Sequence, residues 1–88
     1  MVNNRRSELD IISDILHLAE DGAKKTEILY QGNFSYNQLQ SYLYFLIEKN
    51  LIEETELKSN GNRGKIYKNT MKGKNLLLDI NKTLSYFK

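Results

Sequence analysis

Hydrophobic residues recur at helical spacing in four stretches of the chain, and an extended stretch separates the third from the fourth. The first stretch, SELDIISDILHLAEDG, has one apolar face consisting of Leu9, Ile12, Ile15, Leu16 and Ala19. Ser7 precedes this face as an N-cap, Asp10 follows at the third helical position, and Gly22 provides a stop. Ile11 and Leu18 widen the apolar face, which indicates either a deeply buried helix or one with a second packing partner.

A short second helix is predicted in AKKTEILYQGN, with Ile28 and Leu29 buried and Gly32 just past its end. The third helix begins about four residues later, a spacing typical of the helix-turn-helix motif. Its N-cap is Ser35, which forms an S-x-x-Q capping box with Gln38. Phe34 and Leu39 flank this cap as a hydrophobic staple, so the direction in which the chain enters the helix is specified. The inner face is Leu39, Tyr42, Leu43, Leu46 and Ile47.

The extended stretch predicts a β-hairpin followed by a last helix. After Asn50, LIEETEL alternates weakly like a strand, KSNGNRGK (58–65) has the composition of a turn, and IYKN (66–69) is a second strand. Thr70 caps a helix over residues 71–87. We therefore predict a mainly α-helical winged helix-turn-helix fold with a β-hairpin wing. It forms one domain over residues 1–88, with its core in residues 7–70.

The last helix also carries a candidate dimer seam. Leu77, Ile80, Leu84 and Phe87 have the 3-4-3 spacing of a coiled coil, whereas Leu76 and Leu78 lie on other sides. One apolar stripe can cover the core of the domain while the other packs on a second copy. We expect a homodimer through this short seam; the alternative is a helix buried wholly in the core of its own chain.

Composition narrows the class of protein. The 88 residues are 40% hydrophobic and 27% charged, without cysteine, so neither a disulfide framework nor a cysteine zinc site is expected. The absence of a long apolar run or an N-terminal signal pattern predicts a cytoplasmic protein that does not insert in a membrane. His17 lacks a nucleophile pattern, and GNRG (61–64) lies in the hairpin rather than between a strand and a helix. We therefore expect no enzyme activity, metal or cofactor.

The net charge is only +2, but it is unevenly distributed. Residues 7–56 hold ten acidic and three basic side chains, a balance of −7, whereas residues 57–75 hold six basic and no acidic ones. Such a basic block can bind an anion even on a nearly neutral protein, although a lysine-rich solvated edge would look the same.

A helix-turn-helix followed by a basic hairpin predicts a DNA-binding surface. The second helix of this motif enters the major groove with its N-terminal half. On a helical wheel the side chains opposite the leucine stripe include Asn37, Gln40, Ser41 and Tyr44, with Tyr36 on the flank. Asn and Gln can bind adenine through two hydrogen bonds, and hydroxyl groups can reach bases or phosphates. An ordinary solvated helix face would carry similar residues.

The positive charge has to come from outside this helix, because its N-terminal half has no Lys or Arg. Phosphate neutralisation supplies most non-specific affinity for DNA. The candidates lie in the hairpin, at the start of the second helix and near the N-terminus: Lys58, Arg63, Lys65, Lys24, Lys25, Arg5 and Arg6.

Several motifs resemble those of the small archaeal winged helix-turn-helix proteins. They are K-K-T-x-I-x-Y in the second helix, N-x-S-Y-x-Q-L-x-x-Y-L-x-x-L in the turn and third helix, the "LIE" strand, and Y-x-x-T-x-K-G at the start of the last helix. The resemblance covers residues 8–80. It implies a DNA-binding transcriptional regulator or chromatin-type protein. Members often dimerise through the last helix as an antiparallel coiled coil, so the seam on residues 71–87 is expected to be a short antiparallel one.

By this resemblance, Ser35, Tyr36, Asn37, Gln40 and Ser41 correspond to the DNA-facing part of the recognition helix, and residues 58–65 to the wing. Other members tend to carry more lysine on that helix, where this chain has Gln40, Ser41 and Tyr44. We expect a double-stranded DNA-binding regulator associated with the nucleoid. Two alternatives remain open: a non-specific DNA organiser, and a protein-interaction module whose acidic half docks a basic partner.

Overall fold

The computed structural model describes residues 7–59 and 62–87. The elements are α1 (Glu8–Leu18), α2 (Lys25–Gly32), α3 (Tyr36–Glu48), β1 (Ile52–Ser59), β2 (Asn62–Asn69) and α4 (Met71–Leu84), followed by a 3-10 turn (Ser85–Phe87). This order confirms the predicted fold of four helices and a two-stranded antiparallel hairpin. Arg5 and Arg6 lie outside the described residues.

Helix α1 is the central element of the core. Ile15 and Leu16 are fully buried, and Ile11 is nearly so. The helix packs against both α2 and α4, so the wide apolar face does have a second packing partner, within the same chain. Leu9, which we expected on the inner face, is 45% exposed. The remaining core includes Ile28, Leu39, Leu43, Leu46, Ile52, Tyr67, Leu77 and Ile80.

The predicted caps start the helices. The Ser7 hydroxyl oxygen accepts a hydrogen bond from the Asp10 N–H at 3.1 Å, and the Asp10 carboxylate reaches back to Ser7. The Ser35 hydroxyl oxygen accepts from the Gln38 N–H at 3.1 Å. Phe34 and Leu39 are both buried, as a hydrophobic staple requires.

The turn between α2 and α3 differs in detail from the prediction. Gly32 belongs to α2, and the residue that ends the helix is Asn33 in the left-handed conformation (φ 56°, ψ 48°). Asparagine tolerates this conformation better than most residues. The role of Gly32 is steric, because a Cβ atom there would overlap the ring of Phe34. Asn50, also left-handed (φ 62°), follows α3 as expected.

The hairpin strands are longer than the sequence indicated. Residues 58–59 and 62–65, which we assigned to the turn, continue the ladder, with Lys58 opposite Arg63 and Ser59 opposite Asn62. The connection is therefore only residues 60–61, which lie outside the described part of the chain. A two-residue Asn-Gly connection is the strongest short hairpin signal, and we had read it as part of a longer loop.

Helix α4 presents its predicted seam to its own chain. Leu77 and Ile80 are buried in the core, Leu84 packs against it, and only Phe87 is exposed. The exposed apolar side chains at this end of the chain are instead Leu78, Tyr86 and Phe87. At Leu77, Ile80 and Leu84 the 3-4-3 spacing is explained by the packing of α4 on α1, whereas Phe87 does not join the core. Whether the chain dimerises is a separate question.

The first turn of α4 is tied to the end of α3. The Thr70 hydroxyl donates to the Asn50 carbonyl oxygen at 2.7 Å, and the Lys72 ammonium donates to that of Lys49 at 3.1 Å. Gly73 lies directly against the Leu51 carbonyl group, where a Cβ atom would overlap the oxygen.

Replacing Gly73 with Ala tests this close approach. Ala normally favours a helix by about 1 kcal/mol over Gly, but here its methyl group meets backbone that cannot easily move. We expect Gly73→Ala to lower the free energy of unfolding by about 1–3 kcal/mol, measured by urea denaturation. The control is Gly64→Ala in β2, where a Cβ atom would meet nothing within 4 Å. An unchanged stability of Gly73→Ala would contradict the packing.

Candidate nucleic-acid interface

The N-terminal half of α3 exposes the predicted uncharged face. Ser35 caps the helix, and the side chains of Tyr36, Asn37, Gln40, Ser41 and Tyr44 are all exposed. Tyr36 and Tyr44 are 58% and 69% exposed, while Leu39, Leu43 and Leu46 are buried on the opposite side. The face therefore combines hydroxyl and amide groups, and it carries no formal charge of its own.

A positive charge from α2 lies on this face. Lys25 is the first residue of α2, and its ammonium group donates a hydrogen bond to the Gln40 side-chain oxygen. The same Nζ atom lies 5.4 Å from the centre of the Tyr36 ring, within the range of a cation–π interaction. The structure thus brings together Lys25, Tyr36 and Gln40, which the sequence had placed in two separate groups.

Lys24 is exposed next to this cluster. Its backbone N–H donates to the Glu27 carboxylate at 2.8 Å, which closes the first turn of α2. The side chain is therefore not needed to cap the helix. The two neighbouring lysines differ: Lys25 is held against α3, whereas the ammonium group of Lys24 makes none of the contacts that Lys25 makes.

The hairpin joins the site at its base, through Tyr67. This buried side chain donates its hydroxyl hydrogen to the Glu54 carboxylate at 2.8 Å, across the strand pair. Burial is the main cause that raises the pKa of Tyr67 from its ordinary value of 10.0 to about 12, with Glu54 adding to it and Tyr36 contributing last. Helix α3 also packs against strand β1 of the hairpin.

The basic block is less free than the sequence suggested. Glu54 also forms a salt bridge with Lys65, at 3.7 Å. In the register of the hairpin, Glu53 lies opposite Lys68 and Glu56 opposite Lys65. The acidic residues of β1 thus neutralise part of the charge on β2. Counting charges along the chain missed this pairing; the Asn60-Gly61 connection, read as the centre of the hairpin, would have given the register.

Lys58 and Arg63 pair through their backbones at the outer end of the hairpin. Their side chains lie outside the part of the chain that the structure describes, so their assignment to the interface stays a prediction.

His17 and the acidic side chains are the remaining groups that could carry chemistry. His17 is exposed in the last turn of α1. Within residues 7–59 and 62–87, the His, Asp and Glu side chains form no group of three that could hold a metal ion. None of the helices in these ranges combines the length and apolar character needed to cross a bilayer.

Comparison with known proteins agrees with this architecture. The family model described as "Winged helix-turn-helix" matches residues 5–87. A search of curated proteins gave no significant match. Among solved structures, the chain is similar to Sso10a-2, a DNA-binding protein from Sulfolobus solfataricus, with 28% identity and a TM-score of 0.80. That match covers 92% of this chain and 81% of the other.

Two more distant structures share the fold. The protein smu.1704 from Streptococcus mutans has 20% identity, with a TM-score of 0.87 over 98% of this chain and 86% of its own. A PadR-like transcription factor from Bacteroides fragilis has 22% identity, with a TM-score of 0.71 over 88% of this chain and 81% of its own.

The raised pKa of Tyr67 predicts a loss of stability at high pH. The folded state favours the protonated hydroxyl, so this contribution is complete below about pH 10 and is lost as the pH rises towards 12. It amounts to at most about 3 kcal/mol. Tyr67→Phe cannot ionise at this position, and its free energy of unfolding should therefore fall less between pH 10 and 12, measured by urea denaturation.

Tyr44→Phe serves as the matched control for Tyr67→Phe, since it removes a hydroxyl from an exposed side chain. Its stability should follow the parent curve with pH. Parallel curves for the parent and Tyr67→Phe would contradict the role of the buried hydroxyl.

Proposed function

The chain belongs to the winged helix-turn-helix family, and from this premise we propose that it binds double-stranded DNA. Helix α3 would enter the major groove with its N-terminal half, and the hairpin would contact the backbone or the minor groove. The observation that carries this proposal is the position of Lys25 on the uncharged face of α3, beside Tyr36 and Gln40.

Lys25 supplies positive charge beside the N-terminal half of α3, which has no Lys or Arg of its own. A protein that approaches the major groove passes between phosphates, and cations at the edge of the contact supply most of the non-specific affinity. Lys24 and Lys25 lie at the start of α2, next to this face, and Lys65 lies near the base of the hairpin. The backbone N–H groups in the first turns of α2 and α3 are further phosphate ligands. DNA binding by the similar protein Sso10a-2 supports the same function.

We further propose that the protein is a cytoplasmic, nucleoid-associated transcriptional regulator. A non-specific DNA organiser is expected to present a uniformly basic surface. The central surface here instead carries amides and hydroxyls, groups that discriminate between base edges.

A duplex titration at several salt concentrations tests DNA binding. The logarithm of the association constant should fall linearly with the logarithm of the salt concentration. Lys65→Gln should weaken binding similarly for different duplexes and make this slope shallower by about one. Lys82→Gln, in the last turn of α4, removes the same charge away from α3 and the hairpin and should leave the slope unchanged. A parent protein that binds no duplex at low salt would refute the proposal and favour the protein-interaction module.

We also propose a homodimer, with its contact at the exposed end of α4. Leu78, Tyr86 and Phe87 are 67%, 83% and 82% exposed, an unusual concentration of large apolar surface on one short segment. A second copy that packs on these side chains would remove them from water and present two α3 helices to one duplex.

Size-exclusion chromatography with light scattering tests the dimer. The parent protein at tens of micromolar should have twice the mass of the chain, and Leu78→Gln combined with Phe87→Gln should shift it to the monomer. Tyr30→Gln, which replaces a similarly exposed aromatic side chain on α2, should not change the mass. A monomeric parent at this concentration would rule out the dimer.

A further inference from the structure

We propose that Lys25 orients the side-chain amide of Gln40, so that Lys25 and Gln40 together present only hydrogen-bond donors to the DNA. The pair therefore prefers guanine to adenine. This inference rests on the proposed binding of DNA. It identifies Lys25, a residue outside the recognition helix, as a determinant of sequence preference.

The orientation follows from the chemistry of the two groups. A lysine ammonium has three donors and no acceptor, whereas a glutamine amide has an acceptor oxygen at one end and a donor nitrogen at the other. The hydrogen bond between them requires that the Gln40 oxygen point towards Lys25. The amide nitrogen, with its two donors, then points away from the ammonium group.

A second contact keeps Lys25 in this position. Its ammonium group lies 5.4 Å from the centre of the Tyr36 ring, and its side chain is only partly exposed. The charge is thus attracted by the ring of one residue of α3 and by the oxygen of another. Tyr36 and Gln40 are separated by one helical turn, so the lysine spans the turn that would face the groove.

The consequence concerns the base that Gln40 can bind. A free glutamine binds adenine through two hydrogen bonds, in which its oxygen accepts from N6 and its nitrogen donates to N7. Here the oxygen is already occupied by Lys25, so the adenine N6 amino group would meet donors only. Guanine presents two acceptors, N7 and O6, to the major groove. Both the Gln40 nitrogen and the remaining ammonium hydrogens can donate to them.

The sequence alone had suggested the opposite preference. Glutamine on a recognition helix indicates adenine, provided that both ends of its amide are available. The hydrogen bond from Lys25 occupies the Gln40 oxygen, so only one end of the amide is available. The positive charge of Lys25 also favours the acceptor-rich edge of guanine.

Selection of duplexes from a random pool tests the inference, with the parent protein, Lys25→Met and Lys24→Met. The parent should enrich guanine at one position. Lys25→Met keeps most of the apolar stem but frees the Gln40 oxygen, so the preference at that position should move towards adenine. In titrations of two duplexes that differ only there, the ratio of affinities should change by about tenfold.

Lys24→Met is the matched control, because it removes the same charge from the adjacent residue of the same helix start. It should weaken binding to both duplexes and leave their ratio unchanged. Gln40→Glu provides an independent variant: it keeps a partner for Lys25 but replaces the two amide donors with an acceptor, so the preference for guanine should weaken.

The outcomes separate this inference from the proposed function. If the parent binds no duplex at low salt, the proposed function itself fails. If the parent binds DNA but Lys25→Met weakens both duplexes equally, Lys25 contacts a phosphate and the inference is overturned. The inference is also overturned if the parent selects adenine at the position that responds to Gln40→Glu.

Discussion

Two backbone hydrogen bonds between Ala23 and Tyr67 determine how the hairpin is attached to helices α1 and α2. The Ala23 N–H donates to the Tyr67 carbonyl at 2.9 Å, and the Tyr67 N–H donates to that of Ala23 at 2.8 Å. Ala23 lies between α1 and α2, so the pair adds a short third strand segment to the hairpin. Both residues are buried, where an unpaired backbone group would be costly.

The exit of the hairpin strengthens the same junction. Asn69 donates its side-chain amide hydrogen to the Leu16 carbonyl at 2.8 Å and its backbone N–H to that of Ala19 at 3.1 Å. The Leu16 carbonyl is one that the end of α1 would otherwise leave unsatisfied, whereas the Ala19 carbonyl also accepts from the Gly22 N–H at 3.2 Å. These contacts hold the base of the hairpin, which carries Tyr67 and Glu54, against the end of α1, and β1 in turn packs against α3.

Within that site, charge and hydrogen bonding are supplied by different elements. Helix α3 contributes hydroxyl and amide groups, whereas the cations belong to α2 and β2. The division allows the surface that would enter a groove to stay neutral. It also places Glu54 between a lysine and a buried tyrosine, where its carboxylate limits how much positive charge the base of the hairpin presents.

Local features of the sequence predicted the elements well. Serine and threonine caps, left-handed asparagine at Asn50 and the spacing of leucines act within one or two helical turns, so they can be recognised without knowledge of the rest of the chain. The fold followed from them. The hairpin turn was assigned too long because a local signal, Asn60-Gly61, was overlooked. The 3-4-3 spacing on α4 is a different case: it describes a stripe but does not distinguish α1 of the same chain from a second copy.

The site was predictable only in part, because some of its contacts join elements that are distant in sequence. The exposed face of α3 follows from its periodicity, and the basic residues are evident from composition. The contact of Lys25 with Gln40 is not, because fifteen residues separate them and their meeting depends on the angle between α2 and α3. The pairing of Lys65 with Glu54 likewise depends on strand register. A shift of one residue would turn the side chains of one strand to the opposite face of the hairpin.

The junction between α3 and α4 has a mechanical consequence. Three successive carbonyl groups, those of Lys49, Asn50 and Leu51, are held by Lys72, Thr70 and the backbone N–H of Thr70, and Gly73 closes the remaining space. These contacts hold the end of α3 directly against the start of α4. The end of α3 and the start of α4 therefore cannot separate without breaking these three hydrogen bonds.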